Sequence, residues 1–419
     1  MTTPVHLHLH AVRANPRAGR RGSRGGFFRD LLWVLLLGTA ASVLDARPVV
    51  PRDDSTVLAE VTPATRHAEL ATRQIAAKRI DVALPLAQYY IKQARITGDL
   101  RFLGYAEAVL VPWVGATTTS ADALVLHATV LQSRHDFLGA LSALEHARAL
   151  RPNDPQSWLT SATVSKVLGN YDQALSACEQ VAIRAEPVVT ELCRQSVRSL
   201  TGELLPAYEA ISQIPAQNLP NEERAWRDSE LGEMAVRLGK DDAAERWFSS
   251  GLRSNPSDFY TRAAYADVLL RNGRAREALE LLKGQEGLEP LLLRIAIAQK
   301  RLGDPGLGES RARLAAAFAA EAQRGDGLHR REEARFLLDV QADPSAALLA
   351  ARENWQVQRE SEDVLVLIRA AYAAGSPQAA EPALAFVREH GMQDARITAV
   401  TVVRAAVTKA RSAVTGVRS

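Results

Sequence analysis

Three histidines alternate in HLHLH at residues 6–10. In an extended chain His6, His8 and His10 would face one side, a spacing that suits metal ligation. They lie upstream of a segment expected to be cleaved, so no metal role is assigned to them. The other histidines, His67, His127, His135, His146, His329 and His390, are scattered. His127 and His135 are too far apart for the i, i+4 spacing of one helical face, and solvent or turn roles are expected throughout. Glu332 and Glu333 beside Arg330 and Arg331 read as a solvated helix face. The chain has no HExxH, GxSxG or GxxxxGK motif. Gly303-x-x-Gly306-x-Gly308 falls between helical patterns rather than after a strand, which argues against a dinucleotide loop. No carboxylate pair sits in an apolar context that would suggest acid/base work. No catalytic, cofactor-binding or metal residues are assigned, and the chain is expected not to be an enzyme.

The elements that could carry other functions come from composition and period. Hydrophobic residues make up 47% of the 419 and aromatics only 5%. The apolar mass is mostly Ala, Leu and Val, which favours helix throughout. The net charge of +3 leaves no global footprint for nucleic acid. At the N-terminus, arginines at 13, 17, 20, 21, 24 and 29 precede the apolar run LLWVLLLGTAASVL (31–44). That order is a secretory signal pattern. The run is short for a spanning helix, which needs about 20 apolar residues. Residues 1–46 are therefore read as a signal peptide, with a retained anchor, and so membrane contact through residues 31–44, as the alternative. Residues 47–64 follow as a linker. The expected location is the periplasm of a bacterium.

Self-similarity spans the rest. Residues 121–154 and 155–188 align at a period of 34, with Ala128 over Ala162, Asp136-Phe137 over Asn170-Tyr171 and Ala140 over Ala174. Residues 223–258 and 259–284 repeat the pattern, and weaker copies occupy 84–113, 188–222, 289–322, 327–360 and 361–392. A helix is read over 67–80 ahead of them. Each unit holds two helical patterns and a short turn. Small residues recur where the two helices must approach closely. Gly169, Gly239 and Gly273 fall where a left-handed residue would close the first helix. Pro152 and Pro256 stop the second helix. Phe137, Leu144, Leu150 and Phe248 are expected to fill the space between helices. Residues 396–419 carry an apolar stripe at 3–4 spacing and read as a capping helix.

The period, the series Trp158…Ala162…Gly169-Asn170-Tyr171…Ala174 and the series Ala140…Ala147…Pro152 together resemble the tetratricopeptide repeat. The resemblance covers roughly 65–395. It implies an all-α, right-handed superhelical solenoid of stacked helix–turn–helix units, whose first helices line a concave groove that holds a protein or peptide partner. Projected onto this sequence, the groove is lined by Thr129, Gln132, Leu159, Thr163, Lys166, Trp226, Glu233, Arg237, Tyr260, Asp267 and Arg271. Trp226 and Tyr260 are of the types enriched at binding hot spots, with packing between repeats as the competing role. One branch of the family grips chaperone tails through Lys, Asn and Arg on these helices; Val125, Thr129, Leu159 and Thr163 stand at the matching places, so that clamp is absent. Cys178 and Cys193 fall on helices that pack together in such an array. They can form a disulfide, the alternative being two buried thiols.

The expectation is a non-catalytic interaction scaffold exported to the cell envelope, with no cofactor and no nucleic acid. Its alternatives are a membrane-anchored envelope assembly factor and, behind that, a small-ligand or enzymatic groove.

Overall fold

A computed structural model describes residues 72–115, 119–324 and 329–402. The signal or anchor (1–46), the linker (47–64), His67 and most of the expected capping helix lie outside these. A short helix over 72–76 leads in. The helix read over 67–80 is thus interrupted: its last residue, Ile80, opens the first long helix instead. Helices pair as α1 Ile80–Thr97 with α2 Arg101–Val114, α3 Ala121–Ser133 with α4 Phe137–Leu150, and α5 Pro155–Val167 with α6 Tyr171–Ala182. Next come α7 Pro187–Arg198 with α8 Leu204–Ser212, α9 Asn221–Arg237 with α10 Asp241–Ser254, and α11 Phe259–Arg271 with α12 Ala275–Leu282. Last are α13 Glu289–Leu302 with α14 Leu307–Arg324, α15 Arg330–Arg335 with α16 Pro344–Val357, and α17 Ser361–Ala373 with α18 Glu381–His390. Among the described residues there is no strand, and no helix is long and apolar enough to cross a membrane. The fold is an all-α solenoid of helical repeats.

Local chemistry sets the hairpins. Ser120, Asp136, Asp154 and Asp258 each accept a backbone N–H at the start of a helix, satisfying donors that the helix itself leaves open. Gly169, Gly239 and Gly273 have φ of +79°, +71° and +77° and close the first helix of their units as expected. Ala128, Ala140, Ala162 and Ala174 are almost wholly buried where the helices cross, and Phe137, Leu144 and Phe248 fill the space between them. Leu150 departs from this: it is exposed at the end of α4, one residue before the chain leaves the helix.

Cys178 on α6 and Cys193 on α7 form a disulfide, with Cα atoms 5.7 Å apart, so one covalent bond joins adjacent hairpins. It closes a loop of 15 residues, worth about 3 kcal/mol in the chain-entropy account.

The solenoid also closes on itself. The Arg359 amide, between α16 and α17, donates to the Val167 carbonyl at the end of α5, 2.8 Å away. Phe386 of α18 lies with its ring 5.8 Å from Tyr171 and 5.5 Å from Trp355, and His390 stands edge-on to Tyr171. The Gln393 side chain accepts from the Leu204 amide, 189 residues earlier. Gly169 shows why this seam needs its glycine. A Cβ there would sit 2.8 Å from the Phe386 ring, and the residue has positive φ as well. The beginning of the expected capping helix, helical over 395–402, buries Ile397 in the same core as Tyr171 and Phe386. Farther along, the turn at Gly98 meets Leu288.

Candidate functional site

Closure turns the concave face into a chamber. Its cavity volume is about 100 Å³, and both the middle and the late hairpins line it. Lys166, Glu233, Arg237, Tyr260, Asp267 and Arg271 are brought together here from α5, α9 and α11. Later segments add Arg294, Arg335, Glu360, Glu362 and Arg396, which the sequence did not single out, and Arg331, which was expected on a solvated face.

Most of these charges are consumed by one another. Asp267 takes Arg294 at 2.8 Å and Arg335 at 2.7 Å. Burial alone would raise its carboxyl, but the two guanidiniums hold it well below the usual carboxylate range. Lys166 lies 3.3 Å from Glu230, with both side chains buried. Arg237 donates to the carbonyl and hydroxyl of Ser199 at 2.6 and 2.7 Å. Arg331 reaches Glu360 at 3.0 Å and Asp363 at 3.3 Å. Arg396 holds Asp394 at 2.6 Å and also pairs with Glu362.

Two carboxyls stand apart. Glu233 is pushed up to about 8 by burial and by Glu230, against the pull of Lys166 and the Tyr260 hydroxyl. Its Oε1 is buried without a hydrogen-bond partner. Asp363 is pushed up to about 7, because burial and Glu360 outweigh Arg331. The chamber thus offers a small, nearly charge-balanced space with an acceptor to spare at Glu233.

Several expected groove residues are not presented to it. Thr129, Gln132, Leu159 and Trp226 are buried. The Thr129 hydroxyl donates to the Val125 carbonyl of its own helix, which removes its need for solvent or partner. Leu159 and Trp226 belong to the core that includes Phe386 and Trp355, so the late hairpins cover what an open groove would show. The Trp226 indole N–H is satisfied by Glu230, one turn on. Thr163 is half-buried, and its hydroxyl donates to the Leu159 carbonyl. Arg271 keeps solvent access and pairs with Asp241.

Some other expectations are corrected and others hold. Arg331 and Glu332 are buried, while Arg330 and Glu333 on the adjoining face pair at 2.5 Å in a partly exposed position. Neighbouring helical residues point about 100° apart, so one dipeptide serves both the chamber and the surface. His146 is exposed, but His390 packs against Phe386, and His329 lies 2.5 Å from Glu321. Gly303 closes α13 in the left-handed conformation, and nothing about its turn forms a phosphate cradle after a strand.

Residues 118–284 match the family described as tetratricopeptide repeat. That segment carries tetratricopeptide repeats. No curated protein matches it. Among solved structures it is similar to the APC/C hetero-tetramer Cut9–Hcn1 at 15% identity and a TM-score of 0.39, covering 70% of this chain and 49% of that one. It thus spans about half of that chain. It is similar to a tetratricopeptide repeat protein from Parabacteroides merdae at 15% identity and a TM-score of 0.35, covering 68% of this chain and 99% of that one. It is also similar to human IFIT1, in a dimer with PPP-AAAA, at 12% identity and a TM-score of 0.43, covering 78% and 84%. These likenesses concern the fold alone. Tetratricopeptide repeats are a protein-interaction scaffold, and that is the general role of this array.

Proposed function

We propose that the chain is a non-catalytic scaffold, exported to the cell envelope, that holds a protein partner by a basic side chain entering the chamber. The observation that carries this reading is Glu233. A buried carboxyl oxygen without a partner costs free energy, and a cationic donor, displacing the proton that burial keeps on Glu233, would relieve it. The chamber volume suits one side chain, not a whole peptide. Tyr260 and Asp267 are half-buried beside Glu233, and Arg271 is exposed at the rim. Together they form the surface a docking segment would meet.

Export is supported by the Arg-rich stretch before residues 31–44 and by the buried disulfide, a bond at home in oxidising compartments. A retained anchor would make the same scaffold an envelope assembly factor held at the membrane.

Crosslinking the exported chain and recovering its partner tests the reading. Glu233→Gln and Arg271→Ala should reduce recovery while the fold is kept. Turnover of a panel substrate with no protein recovered would favour an enzymatic groove instead. Sequencing the N-terminus of the mature product tests export, and an intact Met1 in the cytoplasm would overturn it.

A further inference from the structure

The second cluster of buried ionisable groups lies outside the chamber, where α13, α14 and α15 meet. Glu289 stands in the first turn of α13, Glu321 near the end of α14, and His329 just before α15. The His329 Nδ1 is 2.5 Å from the Glu321 Oε1 and 3.5 Å from the Glu289 Oε1, and the three ligand atoms lie within 4.8 Å of one another. Glu321 is more than nine-tenths buried. The Glu289 Oε1 is buried and accepts no hydrogen bond.

The charge balance here differs from that in the chamber. Among the described residues no arginine or lysine pairs with Glu289; His329 is the cation that faces it, beside the acidic Glu321, Glu332 and Glu333. Two buried carboxylates against one imidazole leave a deficit of positive charge, which the Arg330 guanidinium, engaged by Glu333 and Glu353, offsets only from a distance. A divalent ion beside a neutral imidazole would cancel it. In tetrahedral zinc sites the bonds to nitrogen and oxygen are about 2.0–2.2 Å, which places ligand atoms roughly 3.3 Å apart. The observed spacings bracket that value, so small side-chain rotations would seat an ion. An imidazole in the set favours a first-row transition ion over magnesium or calcium.

We propose that Glu289, Glu321 and His329 form a three-ligand site for a divalent transition metal, zinc being the probe, that ties together the seventh and eighth hairpins. Three protein ligands leave a coordination position free for water or for a partner's side chain.

The test is a zinc titration of the full chain by calorimetry, with His6, His8 and His10 changed to alanine so that the HLHLH stretch cannot bind. The site predicts one equivalent of zinc, a rise in melting temperature on binding, and a cobalt adduct with visible d–d absorption. Glu321→Gln and His329→Ala should each lower the affinity by more than about tenfold. Glu381→Gln, which loses only the exposed pair with Arg388 on α18, should leave it unchanged. If His329→Ala fails to fold by circular dichroism, the near-isosteric Glu289→Gln and Glu321→Gln decide. Failure of the parent to take up zinc, or affinity unchanged in both glutamine variants, would overturn the proposal.

Discussion

The seam between the ninth hairpin and the third is apolar and aromatic, whereas the chamber behind it is lined by arginines and carboxylates. In the seam, Phe386 packs among Tyr171, Trp355 and His390 and lies over the bare backbone of Gly169. In the chamber, Asp267 is bound by arginines from two later hairpins, one of them 68 residues away. Aromatic burial is non-directional and supplies most of the driving force for closure. Buried ion pairs contribute little net stability, because desolvation offsets their attraction. They are directional, however, and penalise any register in which a charge loses its partner. The seam holds the ring shut, and the chamber determines which residues meet when it shuts.

The sharpest way to break this comparison is Phe386→Ala. We expect a loss of about 3–5 kcal/mol, with the late hairpins released, measured by denaturant unfolding and by small-angle scattering. Next comes Arg335→Met in the chamber. It should cost about 2–3 kcal/mol, at or below the bottom of the range for breaking a buried pair, because Arg294 still faces Asp267. Its scattering profile should stay compact, which separates the two regions. Gly169→Ala should cost about 1–3 kcal/mol, since the methyl meets the Phe386 ring and the backbone holds positive φ. A Phe386→Leu background should recover part of that loss.

The smallest effect is a pH slope. Glu233 has a raised pKa in the folded state, so the folded protein binds its proton more tightly than the unfolded chain does. Its stabilising contribution is present below the ordinary value of 4.5 and declines as pH rises toward about 8. Asp267 acts in the opposite sense and in a lower window: its contribution is present above 3.8 and is lost as pH falls. Melting temperatures across pH 5–8, about the window between those two carboxyl values, should therefore fall less in Glu233→Gln than in the parent.

What the sequence made legible was local. The 34-residue period, the alanines at the crossings and Gly169 with its left-handed turn all lie within one hairpin, and each appears where expected. The pairing of Cys178 with Cys193 was open from sequence and depended on matched Cβ vectors. Closure was not legible. It joins Leu204 to Gln393 and Val167 to Arg359, through a small rotation per hairpin summed over six of them. That sum also decided the site. Lys166, Glu233, Arg237, Tyr260, Asp267 and Arg271 could be projected from the register of the first helices. Arg294, Arg335 and Arg396 could not, since nothing local marks them. For Trp226 the competing role, packing between repeats, is the one the structure shows: the late hairpins bury that face. The cluster of Glu289, Glu321 and His329 carries no motif, because its members come from three elements and meet only in the fold.

Closure of the array is tested most directly by hydrogen exchange at the Arg359 amide. This amide lies in a loop, outside any helix ladder, and its hydrogen bond is to Val167 across the seam. A closed solenoid predicts slow exchange, comparable with the interiors of α16 and α17, and a collapse to loop-like rates in Phe386→Ala. Loop-like exchange at Arg359 in the parent, while α16 and α17 stay protected, would contradict closure.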